Sequence, residues 1–377
     1  MKILIIHQPG TAGVARHVLD LVSGLSKSNI DVWVIYSKDE TGSYYRQSMD
    51  SLKQRGVKFK DIPMRRSIGF YDFISYLKIM RFILENGPFD IVHSHASKAG
   101  ALTRLIPLKL NLVYSPHAYV TMNKSLSRFA SLFYTHLEKL LSMRGVTVVT
   151  SIKEGKEAVR IGLNHNKTHL IYHGSESLCC DSENITNRDL YRQKWGVDSD
   201  TIILGSVARY DFQKDHAFAV KFMFWLHSTY NFKVKLVFVG DGEEKVAIEN
   251  LINKLDIKDK VIMESPANFK DVMPAFDFYF MHSHYEGFPY VLVDAMFFGL
   301  PLLCRNVGGA EIVHDGINGV YLDDFSPERS ALKFLKCIRT PQNITDFSNA
   351  SRQSSSSFRL KDMIENYINF YNSIKNR

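Results

Sequence analysis

Glu286 and Asp294 stand eight positions apart in a segment otherwise almost free of charge, Ser283-His284-Tyr285-Glu286-Gly287-Phe288-Pro289-Tyr290-Val291-Leu292-Val293-Asp294-Ala295-Met296. Pro289 occupies the place of a first helical residue, where a fixed φ and a missing N–H are harmless. The helix it opens runs on through Tyr290 to Phe298 and stops at Gly299-Leu300-Pro301, a Gly-then-Pro terminator. It is apolar on nearly every side and reads as buried. A lone carboxylate inside it would cost roughly several kcal/mol, so a polar group must face Asp294. Glu286 precedes the helix, beside N–H groups that lack helical partners and favour anions. Two acids and open amides suit a ligand carrying both hydroxyls and phosphate. The same residues also fit a buried helix whose Asp294 is hydrogen-bonded by a neighbouring loop, and at this level both readings stand.

Arg209 and Lys214 follow an apolar strand and lie five apart across a turn. Arginine would grip a diphosphate as a bidentate fork and lysine as a point charge; alone, the pair equally fits a solvated surface. Gly240-Asp241-Gly242-Glu243 reads as a tight turn into a helix. His93-Ser94-His95 closes a strand, but without a third ligand at suitable spacing the two histidines read as polar strand-end residues, not a metal site. Asp198-Ser199-Asp200 precedes a strand instead of following one and reads as a turn. The loop Gln8-Pro9-Gly10-Thr11-Ala12-Gly13 has small residues between a strand and a helix, where backbone can approach a ligand. It lacks the Gly-x-Gly-x-x-Gly pattern of a dinucleotide site.

The elements that must position these groups alternate. Strands are expected at Lys2–His7, Asp31–Tyr36, near Val57–Phe59, at Phe89–His95, Leu112–Ser115, Gly145–Thr150 and His169–Tyr172. Helical spacing fills Val14–Leu25, residues 70–85, Lys98–Leu105 and 128–142. After a polar stretch from Ser175 to Asp189, expected as a linker, strands resume at Thr201–Val207, Val234–Gly240, Val261–Glu264, Phe278–His282 and Leu302–Cys304. Such alternation implies parallel sheets with right-handed crossovers, here two consecutive doubly wound α/β units. The final helix carries Met363, Ile364, Tyr367, Ile368, Phe370, Tyr371 and Ile374, enough apolar surface to dock.

A chain of 377 residues suits two domains. No apolar run of about 18 residues is present to cross a membrane. Four cysteines, with Cys179 and Cys180 adjacent, give neither a disulfide framework nor a metal spacing, which fits a reducing compartment. Residues 1–172 carry 24 Lys and Arg against 12 Asp and Glu, whereas residues 173–377 carry 23 against 27. The basic half points to an anionic partner, or else to an unevenly solvated surface. Nucleic acid is disfavoured, because basic and aromatic residues do not interleave.

Taken together, the segments resemble the family-4 retaining glycosyltransferases of the GT-B fold. The likeness rests on Glu286 to Met296, similar to the family's Glu-x7-Glu motif. Further support comes from Ser206-Val207-Ala208-Arg209 with Lys214, Phe238 to Gly242, Val307 to Val313, the Ala12-Gly13 loop, His93 to Gly100 and Ser115-Pro116-His117. The resemblance implies two Rossmann-like domains facing across a cleft. Residues 1–172, completed by the helix 359–377, would form the acceptor side, and 173–358 the nucleotide-sugar side. Arg209 and Lys214 would hold a diphosphate and Asp294 the ribose. Glu286 with the amides around Gly287 and Phe288 would face the donor sugar, Gly13 would approach the phosphates, and His117 would lie by the reacting sugar. Asp294 stands where the family usually has Glu, and Pro289 where many relatives have Gly. The implied reaction is retaining, metal-independent transfer of a hexosyl or N-acetylhexosaminyl group from a UDP- or GDP-sugar. The acceptor would be a saccharide on a lipid diphosphate, in capsule, O-antigen or related lipopolysaccharide synthesis. No cofactor or metal is expected. A peripheral place on the inner face of the cytoplasmic membrane follows, with Arg65, Arg66, Lys78, Arg81, Lys124, Arg128, Lys139 and Arg144 toward anionic lipid and the helix at 128–142 as the contact, unless that helix simply faces the core. The alternatives are a UDP-sugar 2-epimerase on the same fold or a non-catalytic sugar-binding relative.

Overall fold

The computed structural model describes residues 1–8, 12–65, 67–123, 125–176, 181–229, 232–323, 326–338 and 341–375. Pro9 to Thr11, Arg66, Lys124, Cys179 and Cys180 lie outside the described residues. The chain divides into two units, Met1–Gly174 with Leu360–Arg377, and Ser175–Arg359.

The first unit is a seven-stranded parallel sheet of β1 (Lys2–His7), β2 (Asp31–Tyr36), β3 (Lys58–Asp61), β4 (Ile91–His95), β5 (Leu112–Ser115), β6 (Val146–Val149) and β7 (Thr168–Leu170), in the order β3-β2-β1-β4-β5-β6-β7. Helices α1 (Ala12–Lys27), α2 (Ser43–Gln54), α3 (Phe70–Asn86), α4 (Ser97–Leu105), α5 (Arg128–Leu141) and α6 (Ile152–Arg160) alternate with the strands. The central strand β1 is a near-continuous apolar run because both of its faces are covered, whereas the outer strands β3 and β7 are polar and partly exposed. Ile3 and Ile5 pack with Val18, Leu21 and Val22 on one face, and Leu4 and Ile6 with Ile79 and Ile83 on the other. The terminal helix Leu360–Lys375 completes the first face through Met363, Ile364, Tyr367, Phe370, Tyr371 and Ile374. Gly24 admits it, since a Cβ there would come 2.5 Å from Ile364.

The second unit holds six parallel strands, β8 (Ile202–Val207), β9 (Val234–Val239), β10 (Val261–Glu264), β11 (Phe278–Met281), β12 (Leu302–Arg305) and β13 (Gly319–Leu322), in the order β10-β9-β8-β11-β12-β13. Its helices are α7 (Asp181–Lys194), α8 (His216–Thr229), α9 (Lys245–Lys254), α10 (Phe269–Val272), α11 (Tyr290–Phe297), α12 (Pro327–Cys337) and α13 (Pro341–Ser355).

Two expectations change. The stretch from Ser175 to Asp189 is not wholly linker: α7 occupies it from Asp181 and is anchored by polar contacts. Arg188 and Arg192 pair with Asp277 at 2.7 and 3.1 Å, so no apolar stripe marks the helix in the sequence. Pro289 is the cap ahead of α11 and has extended backbone, so the helix begins one residue later than expected. Of the two readings of the helix at 128–142, the core-facing one fails for most of its apolar residues, Leu141 excepted. Phe129 is 87% exposed, Leu132, Phe133 and Leu140 are exposed, and the helix is tied down by buried Glu138, which accepts from Arg104 at 3.0 Å and Tyr114 at 3.2 Å.

Candidate active site

In each sheet the strand order reverses direction at one place, and ligands of open parallel sheets lie beyond the carboxyl ends of the strands there. In the second unit that place is between β8 and β11. The loop after β8 carries Arg209 and Lys214, and the loop after β11 carries Glu286. Sequence-distant charges therefore meet because two neighbouring strands end together.

Glu286 is 7% exposed and fully engaged. Lys214 Nζ lies 2.6 Å from its Oε1, and Gln213 Nε2 donates to Oε2 at 3.1 Å and to the Tyr285 carbonyl at 3.0 Å. The Lys214 amide donates to the Asp211 carbonyl at 3.0 Å, and His282 Nδ1 contacts the Lys214 carbonyl, so backbone and side chain are both fixed. Arg209 is not drawn into this pair. It sits over Asp211 at 2.8 Å with its side chain 59% exposed, a cation held at the edge. From the adjoining strand end, Gly308 and Gly309 press against the Glu286 loop. A Cβ on Gly308 would lie 2.0 Å from the Glu286 carbonyl oxygen, and Gly309 has the left-handed φ of 75°.

Asp294 is fully buried in α11, and its Oδ1 accepts from Ser175 Oγ at 2.7 Å. Ser175 is itself held by its amide on the Phe358 carbonyl at 2.9 Å. The polar partner that the sequence demanded is thus the segment opening this unit. Phe288 is buried and packs near Phe358, while Gly287 and Pro289 carry the chain from Glu286 into α11, where the Leu292 amide donates to the Pro289 carbonyl at 3.2 Å.

In the first unit the reversal falls between β1 and β4, and histidines gather there. His95 Nδ1 lies 2.9 Å from His117 Nε2. The His17 ring, from α1, sits 4.8 Å from that of His117 and 5.3 Å from that of His95, and His173 is 4.6 Å from His17. Burial, then the field of His7, pushes His117 down to about 3; burial likewise holds His17 and His95 well below the usual histidine range. All three are neutral imidazoles at pH 7. His117 and Ala118 have φ of 55° and 91°, a costly backbone for non-glycine residues. Ala118 N donating to Glu154 at 2.6 Å holds that turn. Gly13 stands exposed in the first turn of α1, not in a loop.

Residues 11–176 match the family described as Glycosyltransferase Family 4, and residues 187–354 match glycosyl transferases group 1. The chain is a family-4 glycosyltransferase. A protein of the cps region of Klebsiella pneumoniae is 24% identical over 99% of this chain and all of that one. A UDP-Gal:alpha-D-GlcNAc-diphosphoundecaprenol alpha-1,3-galactosyltransferase of Escherichia coli is 24% identical over 82% of this chain and 80% of its own. The crystal structure of Anabaena HepE with UDP and glucose superposes with a TM-score of 0.81, at 19% identity, over 99% and 100% of the two chains. The fold is therefore GT-B, and the enzyme is a glycosyltransferase.

Sequence reasoning missed four residues of this transferase that shape its two strand-reversal sites. Gln213 gives no signal beyond being next to Lys214. Ser175 lies in a stretch whose polar composition reads as linker. His17 carries a usable sign, a titratable residue on the same stripe of α1 as buried Leu21 and Gly24, whereas His173 lies in a loop without periodicity. The two histidines of His93-Ser94-His95 part company: His93 bonds Tyr371 at 2.7 Å and Ser115 at 2.9 Å, and His95 joins His17 and His117.

Proposed function

We propose that the transferase moves a hexosyl or N-acetylhexosaminyl group, with retention and without a metal, from a UDP- or GDP-sugar to a saccharide carried on a lipid diphosphate, in the synthesis of a cell-surface polysaccharide. The observation that carries this reading is the Lys214–Glu286 pair, 2.6 Å apart at the strand reversal of the second sheet. It sets a carboxylate for sugar hydroxyls beside a cation that a diphosphate can share. Arg209, free to swing from Asp211, adds a bidentate grip on the departing phosphate. With the positive end of the α11 dipole, these groups stabilise the charge that grows on the leaving group, the contribution usually largest in such transfers. The acceptor then attacks from the face the phosphate leaves, which preserves configuration. His117 lies by the sugar, and Asp294, a methylene shorter than the family's usual Glu, takes the ribose hydroxyls in exchange for Ser175. UDP in the HepE crystals and the lipid-linked acceptor in the Escherichia coli relative's name support the choice of partners.

The test is hydrolysis of a panel of UDP- and GDP-sugars without acceptor, repeated with Glu286→Ala and with EDTA. One donor is hydrolysed, EDTA leaves the rate unchanged, and Glu286→Ala lowers it at least ~100-fold. Full activity in Glu286→Ala would remove the site; complete loss in EDTA would remove the metal-free mechanism.

Peripheral attachment to the inner face of the cytoplasmic membrane belongs to the same proposal. Among the described residues, no helix is long and apolar enough to cross a membrane. The exposed Phe129, Leu132, Phe133 and Leu140 of α5, with Arg128 and Lys139 on the same helix, suit an anionic surface. Arg144 is spent otherwise, donating to the carbonyls of Arg104, Ile106 and Leu108. Sedimentation with phosphatidylglycerol vesicles weakens as salt rises and fails for Phe129→Ser/Phe133→Ser. Equal binding in low and high salt would count against it.

A further inference from the structure

Three imidazoles from three separate elements converge in the first unit: His17 from α1, His95 from the end of β4 and His117 from the loop after β5. One nitrogen of each lies within 4.8 Å of the other two. We propose that His17, His95 and His117 bind a transition-metal ion of the Zn2+ class.

The donor set is all imidazole, which suits Zn2+, Co2+, Ni2+ or Cu2+ and not Mg2+ or Ca2+. Tetrahedral zinc with Zn–N bonds of about 2.0–2.1 Å places its ligand nitrogens roughly 3.4 Å apart. His95 Nδ1 and His117 Nε2 are already closer than that, at 2.9 Å, and the widest separation must close by only a small ring movement. Two neutral imidazoles facing each other share one proton, and an ion between them replaces that single bond with two. Their outer nitrogens, His95 Nε2 and His117 Nδ1, are buried and make no hydrogen bond, so no proton-accepting partner fixes the tautomer against metal binding. Burial keeps all three rings neutral, the form that ligates. Tyr367 OH lies 3.4 Å from His17 Nε2, and the His93 ring, pinned by Tyr371 and Ser115, packs 3.9 Å from that of His95. Such an outer layer orients ligand rings. His117 is partly exposed on a turn, which leaves a route for the ion.

The metal inhibits, because it holds His117 away from the sugar; this consequence alone rests on the function proposed above. The experiment is titration of the full chain with Co2+, read by the visible d–d absorption of a tetrahedral site, with Zn2+ as competitor. One Co2+ binds per chain and Zn2+ displaces it. His17→Gln and, should that variant misfold by circular dichroism, His117→Gln weaken binding at least ~10-fold. His136→Gln, an exposed histidine elsewhere, retains it. Absence of d–d bands, or bands undiminished in the folded His17 or His117 variant, would overturn the site. Zn2+ also lowers donor hydrolysis and EDTA restores it. Binding without inhibition upholds the metal site and counts instead against the place given to His117 beside the sugar.

Discussion

Lys214 and Arg209 are given the same task toward a diphosphate, but the fold depends on them unequally, and that difference is measurable. The Lys214 side chain is 20% exposed and its partner Glu286 only 9%. Removing one member of a largely buried pair leaves the other charge uncompensated and costs about 3–5 kcal/mol; partial solvation of Lys214 puts Lys214→Ala near the lower end, about 3 kcal/mol. For a unit of this size 1 kcal/mol is roughly 2–4 °C, so melting of the second unit falls by about 6–12 °C. Lys214→Met with Glu286→Gln removes both charges, keeps the aliphatic volume and leaves Gln213 a carbonyl to bond, so most of that loss returns. Arg209, with its side chain 59% exposed, reaches Asp211 from solvent, and Arg209→Ala stays within about 1 kcal/mol of the native stability. Its UDP affinity nevertheless drops about 10–100-fold, the worth of a charged hydrogen bond to phosphate. Differential scanning calorimetry supplies the melting points and isothermal titration the UDP affinities. A Lys214→Ala protein that melts within 2 °C of the native, or a double variant as unstable as the summed singles, would refute the argument that this pair is coupled and buried.

Gly308→Ala drives a Cβ to 2.0 Å from the Glu286 carbonyl oxygen. The loop must shift by roughly 1 Å, so kcat/KM falls about 100-fold while circular dichroism stays native. Ser175→Ala takes a donor from buried Asp294 and destabilises the second unit by about 2 kcal/mol in urea titrations. Under the ribose assignment, Asp294→Asn weakens UDP binding more than Ser175→Ala does. His216 is buried against Tyr210, rings 4.3 Å apart, without a partner for either nitrogen; burial and then the charge of Lys214 push it down to about 3. The unfolded chain takes this proton first, near pH 6.5. The stabilisation is thus whole above that pH and is lost by about 1.4 kcal/mol per unit as pH falls toward 3. His216→Phe flattens urea-derived stability against pH between 6.5 and 4.5 by one proton, and an unchanged slope would exclude His216 as its source.

The fold was legible because parallel strands covered on both faces must be apolar throughout. Asp31–Tyr36, Leu112–Ser115 and Val261–Glu264 appear with the bounds that their apolar runs suggested. The misread elements are held by something other than an apolar period. α7 is polar because Arg188 and Arg192 hold it to Asp277, and nothing in a hydrophobic period registers an ion pair to a distant residue. The short strand β13 escaped similarly: Gly319 opens it where a Cβ would meet the Leu302 carbonyl oxygen at 2.2 Å, so close approach, not apolar length, defines the element.

The site was legible in proportion to how local it is. Glu286, Pro289 and Asp294 share one turn-and-helix unit, and a single charge inside an apolar helix announces itself. What sequence could not supply is which strand ends adjoin. Lys214 meets Glu286 because β8 and β11 are neighbours in the sheet, and His95 meets His17 and His117 because β1, β4 and β5 are. The same reversal of strand order thus assembles a charged pair in one unit and a neutral imidazole cluster in the other. The difference follows from solvation. The Lys214–Glu286 pair survives burial as ions because each neutralises the other and Gln213 satisfies the remaining carboxylate oxygen. For His17, His95 and His117 burial is the largest influence, and it strips their protons. Under the two proposals, one site takes an anion that shares a cation, the other takes a Lewis acid that wants nitrogen, and Asp294, held by Ser175 at 2.7 Å, exchanges that hydroxyl for those of the donor.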